Sequence, residues 1–133
     1  MEQLRLFASA VRASLEGHRN KSLELLDQVS KLPGPMVHDP ESYYWAAREL
    51  ANLDEPERAL DGLSRALDSG YRCYYALLHD QRLESLRSRP QFTELVTRAA
   101  ALDLEARAVF LDNGGDRLLG VQLDRTSPRF ASN

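Results

Sequence analysis

Residues 41–70 read ESYYWAARELANLDEPERALDGLSRALDSG, with small and large apolar residues interleaved along the stretch. Alanines recur in it where two antiparallel helices would touch, and larger apolar residues such as Tyr43 and Leu63 lie between them. A bulky side chain at such a position would push the helices beyond the roughly 8–10 Å at which helices pack. The spacing therefore predicts a close helical hairpin whose contact positions are Ala46, Ala47, Ala59 and Ala66.

Sequence signals that begin and end helices set the bounds of this hairpin. Asp-Pro-Glu at 39–41 supplies a capping acid, a proline at the first helical position and an acid in the first turn. Asp-Glu-Pro at 54–56 repeats the pattern, with either acid as the cap. We therefore predict helices that end at about Asn52 and Asp68 and together form a hairpin over 41–69.

An N-terminal hairpin is predicted over about residues 3–31. Its first helix ends before Gly17, and Asn20 is the predicted N-cap of its second helix. The cluster Pro33-Gly34-Pro35 ends that second helix, because neither a helix nor a strand tolerates it. The first helix has a stripe of apolar residues at helical spacing, which consists of Leu4, Phe7, Ala8, Val11 and Leu15.

A less regular third unit is predicted over 71–112. It begins with a shorter helix and an irregular stretch, and continues from Pro90 as a long final helix that Asn113-Gly114-Gly115 stops. Residues 116–133 form a tail, whose last dozen residues we expect to be poorly ordered unless they dock. No period-2 alternation in the sequence is long enough for a sheet. The predicted fold class is all-α, with one domain over 1–115.

Composition limits the classes of partner and the compartment. Lysine plus arginine number 17 and aspartate plus glutamate 20, so the net charge is −3, and the charges are mixed along the chain. This balance argues against a nucleic-acid binder and against a basic membrane-binding patch. Cys73, the single cysteine, cannot form an internal disulfide and is expected in the core. No apolar segment approaches the roughly 20 residues of a membrane span, so we expect a cytoplasmic protein that binds no membrane, nucleic acid, metal or cofactor.

The hairpin over 41–69 resembles a tetratricopeptide repeat. That family is built from helix–turn–helix units of about 34 residues, with aromatic, apolar and small residues at fixed separations. The N-terminal hairpin matches more loosely, and the third unit with its long last helix is similar to the caps that end such arrays. The resemblance implies a right-handed stack of antiparallel hairpins with a long C-terminal capping helix. It is carried by Tyr43, Ala46, Ala47, Leu50, Ala59 and Leu63.

A narrower resemblance covers roughly residues 39–120. This part of the chain is similar to the C-terminal repeat segment of bacterial multidomain regulators such as serine/threonine kinases. No kinase glycine loop, catalytic loop or metal-binding motif is present in the sequence, so the resemblance implies no catalysis. The pattern is carried by Arg58-Ala59-Leu60, Gly70-Tyr71-Arg72-Cys73, Pro90-Gln91-Phe92 and Gly114-Gly115.

The repeat resemblance implies an inner groove lined by the first helix of each hairpin. A tyrosine there can pack apolar side chains of a peptide, an arginine can bind a carboxylate, and an asparagine can bond an extended backbone. The alternative is that these side chains pack on the final helix or carry charge into solvent, which is ordinary for arginine and tyrosine on helices. The predicted groove residues are Tyr44, Arg48, Asn52, Tyr75 and Arg82.

These observations lead to a prediction of non-catalytic protein–protein interaction, in which the groove binds a peptide or protein partner. The alternative is a structural or self-associating segment of a larger regulator, in which the face of Leu4, Phe7 and Val11 receives a preceding repeat or a second copy. A third hypothesis is a small hydrolase that uses His79 and Asp80, although no serine or cysteine is placed beside them as a nucleophile.

Two further features of the sequence are expected to be structural. Trp45 and Phe92 are predicted core anchors, because large aromatic residues at helical spacing most often serve packing. Gly114-Gly115 is read as a helix stop rather than a phosphate cradle, since no GxGxxG or Walker sequence is present. His18 and His38 are isolated in turns and do not suggest a metal site.

Overall fold

A computed structural model of the chain describes residues 1–33 and 39–126. Every regular element in these ranges is a helix, so the predicted all-α class is confirmed. The predicted turn residues Gly34 and Pro35 lie outside the described residues, as do His38 and the tail beyond Thr126.

The described helices follow the predicted order along the chain. The third and fourth helices end at Asn52 and Asp68, as the sequence predicts. The helix expected to begin at Tyr71 begins three residues later, and the irregular stretch after it is a 3₁₀ helix. The elements are α1 (Glu2–Leu15), α2 (Arg19–Lys31), α3 (Pro40–Asn52), α4 (Pro56–Asp68), α5 (Tyr74–His79), the 3₁₀ helix (Gln81–Leu86), α6 (Pro90–Asp112) and α7 (Gly115–Leu119).

The starts of the helices agree in part with the predicted caps. Asp39 caps α3, because its carboxylate accepts hydrogen bonds from the backbone N–H groups of Glu41 at 2.9 Å and Ser42 at 3.0 Å. Asn20 does not cap α2. The helix begins at Arg19, and His18 occupies the cap position without a side-chain hydrogen bond. Glu55 precedes α4 but likewise forms no cap bond.

The small residues of the central hairpin lie where α3 and α4 touch. Ala47 and Ala59 are completely buried, Ala66 is 1% exposed, and Ala46 is half-buried. A Cβ atom added to Gly62 of α4 would lie only 3.0 Å from the Cβ atom of Ala47 in α3. The backbones of the two helices therefore approach as closely as the spacing of small residues predicts.

In the first hairpin, α1 and α2 also pack closely through a buried alanine. Ala10 in α1 is completely buried, and its carbonyl oxygen accepts a hydrogen bond of 2.8 Å from the hydroxyl of Ser22 in α2. Ser22 is itself fully buried, so this bond satisfies a polar group that would otherwise be costly inside the core.

Two predicted core residues are on the surface, and one is confirmed in the core. Phe92 is 3% exposed, as expected, whereas Trp45 is 43% exposed and Cys73 is exposed. Trp45 follows Tyr44, which points into the core, and one residue along a helix is a rotation of roughly 100°. Cys73 is exposed because it precedes the late start of α5 instead of lying within the helix.

Polar side-chain contacts join each hairpin to the next unit. The first helices α1 and α3 are joined by a hydrogen bond from Asn52 to Ser14, and the second helices α2 and α4 by an ion pair between Arg58 and Asp27. The 3₁₀ helix then packs on α3 and α6 packs on α4. Those contacts include Ser85 to the Ala51 carbonyl at 3.2 Å and Arg89 to Glu57 at 2.9 Å.

The described part of the tail folds back on the end of α6. The helix α7 follows Gly114, whose φ of 74° is in the left-handed region. The ring of Phe110 lies over Gly115, where an added Cβ atom would approach the ring to 2.2 Å. Arg107 donates to the carbonyl oxygen of Asp124 at 2.8 Å. The sequence did not predict α7, because five residues between two glycines are too few for a periodic pattern.

Candidate functional site

Tyr44, the first residue of the predicted groove, is part of the core. Tyr44 is 4% exposed, and its ring stacks on that of Tyr71 with a centroid distance of 4.6 Å and an interplanar angle of 11°. Its hydroxyl donates a hydrogen bond of 2.6 Å to Asp80. The prediction that Tyr44 offers its ring to a partner is therefore wrong, because the third unit of the chain covers it.

The two groove arginines meet around the same aspartate and are paired within the chain. The Nε atom of Arg48 lies 3.1 Å from Oδ2 of Asp80. Arg82 forms an ion pair with the buried carboxylate of Glu49, and its backbone N–H donates to Oδ1 of Asp80 at 3.0 Å. These contacts join α3 to the 3₁₀ helix, so this polar cluster (Tyr44, Arg48, Glu49, Asp80 and Arg82) connects the second and third units.

Burial shifts the acid–base properties of this cluster. Burial, together with the hydrogen bond to Asp80, raises the pKa of Tyr44. Burial also raises the pKa of Glu49, and the nearby charges of Arg82 and Arg48 oppose that shift. The cluster is therefore a partly buried polar contact between two units, in which Oε2 of Glu49 forms no hydrogen bond within the described residues.

The remaining predicted groove residues lie apart from this cluster. Asn52 is exposed and donates its 3.1 Å hydrogen bond to Ser14 of α1. Tyr75 is 48% exposed, and its ring lies 4.3 Å from that of His79. The Asp80 carboxylate accepts hydrogen bonds from Tyr44 and Arg82 and forms an ion pair with Arg48. The structure therefore does not show Asp80 orienting His79, as the hydrolase hypothesis requires.

A cavity of about 300 Å³ opens between the first two hairpins. It lies between the amino-terminal part of α1 and that of α3, with the later part of α2 as its floor. Its apolar wall consists of Leu4, Phe7, Leu26, Val29 and Trp45. Its polar lining includes Gln3, Asp39, Glu41 and Arg65.

Helix geometry places the apolar wall where solvent can reach it. Leu4 and Phe7 are one turn apart on α1, and the rings of Phe7 and Trp45 have centroids 6.2 Å apart. Leu4 is 50% exposed and Trp45 is 43% exposed. The sequence analysis singled out the face of Leu4 and Phe7 but missed Trp45. The sequence signal for Trp45 was its position directly after an inward-pointing tyrosine. Neighbouring residues of a helix face different directions, so Trp45 faces α1.

The charged groups at the rim leave one carboxylate accessible. Arg65 is paired with Asp61 at 2.9 Å, and Asp39 is used by the cap of α3. Glu41 is exposed and forms no ion pair within the described ranges. The cavity thus combines an apolar wall with an accessible negative charge at its edge.

The comparisons with known proteins leave the geometry as the basis for any functional argument. No protein-family model, curated protein or solved structure matches the chain. Within residues 1–33 and 39–126, no group of three or more His, Cys, Asp or Glu side chains is arranged to hold a metal ion. No helix in those ranges combines the length and the apolar character needed to cross a membrane.

Proposed function

We propose that this chain is a non-catalytic protein-binding module built as a right-handed stack of hairpins of the tetratricopeptide type. Support for the stack comes from polar contacts of α1 with α3, of α2 with α4, and of Arg89, just before α6, with α4. The close crossing of α3 and α4 at Ala47 and Gly62 adds to this support. In this proposal the third unit closes the stack, with α6 as its capping helix.

The cavity between the first two hairpins is the proposed binding site, and it replaces the groove around Tyr44. The observation that carries this proposal is an accessible cavity of about 300 Å³ whose apolar wall includes the half-exposed Leu4 and Trp45. An apolar cavity of about 150 Å³ is large enough to hold benzene. The site therefore has room for about two apolar side chains of a partner, and tryptophan is a residue type often found at the energetic centre of interfaces.

The rim gives the partner a preferred charge. Glu41 presents an exposed carboxylate at the edge of the apolar wall, and the nearby Arg65 is already paired with Asp61. A lysine or arginine next to the inserted apolar side chains would complement Glu41. We therefore propose a partner segment with one or two apolar residues beside a basic residue.

The buried polar cluster helps by fixing α3 before a partner arrives. Tyr44 and Glu49 hold α3 against the 3₁₀ helix through Asp80 and Arg82. Trp45 follows Tyr44 directly on the same helix, so its backbone position is fixed as well. Binding then requires little additional ordering of the main chain, which lowers its entropic cost.

Selection from a random peptide display library tests this proposal. The wild-type chain should enrich peptides in which one or two apolar residues adjoin a lysine or arginine. Leu4→Gln should weaken those peptides at least about ten-fold, because burial of a leucine side chain contributes about 1.5–3 kcal/mol. Glutamine keeps the charge of the site and is well tolerated in a helix.

Leu15→Gln is the matched control for this experiment. Leu15 is on the same helix and 72% exposed, but it does not line the cavity, so its variant should bind the selected peptides as the wild type does. The proposal is wrong if no peptides are enriched, or if both variants bind the enriched peptides equally well.

A further inference from the structure

A second apolar surface lies at the other end of the sequence, on α7. Leu118 is 86% exposed and Leu119 is 64% exposed, and both belong to a helix of only five residues. Val121, two residues beyond α7, is 42% exposed, and Val109 near the end of α6 is 59% exposed. Burying such side chains in an interface stabilises an assembly, because it removes apolar area from water.

The charges next to these leucines match the rim of the cavity. Arg117 precedes Leu118 directly, is exposed, and forms no ion pair within the described part of the chain. Asp116 lies in the first turn of α7, where the helix dipole favours an acid. The sequence Arg-Leu-Leu at 117–119 therefore presents the combination proposed for the partner: two adjacent apolar side chains beside one basic group.

We infer that the occupant of the cavity is α7 of a second copy of this chain. Leu118 and Leu119 of one copy enter the apolar wall at Leu4 and Trp45 of the other, and Arg117 approaches the carboxylate of Glu41. This inference rests on the proposed function, because it assigns a ligand to the same cavity. In the structure Leu118 is 86% exposed, so α7 does not fill the cavity of its own chain.

Such an association joins two different surfaces. The cavity is formed by residues of α1 to α4, whereas α7 packs on the end of α6. When only one of the two possible contacts forms, each copy in the dimer retains one unused surface, and further copies can add head to tail. The contact involves one short helix and one cavity, which indicates a weak association that is detectable at high protein concentration.

Sedimentation velocity with complementary variants tests this inference. The wild-type chain should show dimers and larger species as its concentration rises. Leu4→Gln removes a cavity contact and Leu118→Gln removes an α7 contact, so each variant alone should associate at least about ten-fold more weakly. A mixture of the two should regain a dimer and nothing larger, because only one cavity and one α7 remain intact in each pair.

One control and one further interface variant make the result specific. Leu15→Gln changes a 72% exposed leucine outside both surfaces and should associate as the wild type does. Glu41→Gln should weaken association by about two- to five-fold, as expected for one exposed ion pair. Circular dichroism of each variant checks that the helices are retained.

The outcomes separate this inference from the proposed function. A wild-type chain that stays monomeric up to its solubility limit overturns the inference, and so does a mixture that fails to regain the dimer. If the monomeric chain still selects peptides that Leu4→Gln rejects, the proposed binding site stands without this occupant. If the peptide selection fails as well, both proposals are wrong.

Discussion

At the scale of single residues, Asp80 organises the contact between the second and third units. Its carboxylate accepts from the hydroxyl of Tyr44 and pairs with Arg48, and it also accepts from the backbone of Arg82 at the start of the 3₁₀ helix. The sequence placed Tyr44 and Arg48 on one helical stripe but gave no sign of what packs there. Asp80 is 36 residues from Tyr44, and a local pattern does not encode a contact at that separation.

Tyr44→Phe should destabilise the chain by about 1–3 kcal/mol, because it removes a buried hydrogen bond to a charged acceptor. The ring and its stacking on Tyr71 remain, so the fold should be retained. Urea unfolding followed by circular dichroism measures the effect. Tyr74→Phe is the control: Tyr74 is half-buried and its hydroxyl forms no hydrogen bond within the described residues, so it should change the free energy of unfolding by less than about 0.5 kcal/mol.

Asp39 should make the free energy of unfolding of the chain decrease at acidic pH. Burial raises the pKa of its carboxyl, but hydrogen bonds from the hydroxyl and backbone of Ser42 and from the backbone of Glu41 outweigh burial and lower it overall. A carboxyl whose pKa is lower in the folded state stabilises that state above its unfolded pKa of about 3.9. This contribution is lost as the pH falls through the folded pKa.

Asp39→Asn isolates that contribution, because asparagine caps a helix about as well as aspartate but does not titrate. The two chains should have similar free energies of unfolding at neutral pH, and the wild type should lose its relative stability below about pH 4. Thermal unfolding over a pH series provides the measurement. A constant difference between wild type and Asp39→Asn at every pH would refute the assignment of the cap.

At the scale of helices, the pattern of small residues was sufficient to predict the central hairpin. Ala47, Ala59 and Ala66 are buried as their spacing indicates, and the ends of α3 and α4 agree with the prediction. Local signals encode these features within about 30 residues. The same reasoning failed for Trp45 and α7: the first lies beside the buried stripe of α3, and the second is too short to show a period.

Ala59→Leu should destabilise the chain by about 1–3 kcal/mol or more, because the larger side chain must enter a completely filled helix crossing. Alanine and leucine have similar helix propensities, so the cost would come from packing. Ala101→Leu makes the same change at an exposed position of α6 and should lie within about 0.5 kcal/mol of the wild type. Equal stabilities of the two variants in urea unfolding would contradict the close crossing of α3 and α4.

At the scale of the whole molecule, the chain places an apolar cavity near its first helices and an apolar short helix near its last. The helical stripe containing Leu4 and Phe7 was predictable from the sequence as a surface for another chain, but the predicted main site was the groove around Tyr44. That groove was inferred from repeat geometry, in which an inner face is open. Here the third unit covers Tyr44, and the accessible apolar volume lies one hairpin earlier, beside Trp45.

Fluorescence of Trp45 tests whether apolar side chains of a partner enter the cavity beside that residue, as we propose. Trp45 is the only tryptophan of the chain, so its emission reports on this site alone. Titration with a peptide enriched in the selection should shift the emission to shorter wavelength and saturate, and Leu4→Gln should weaken the response at least about ten-fold. A peptide that binds the chain while the emission of Trp45 stays unchanged would contradict the claim.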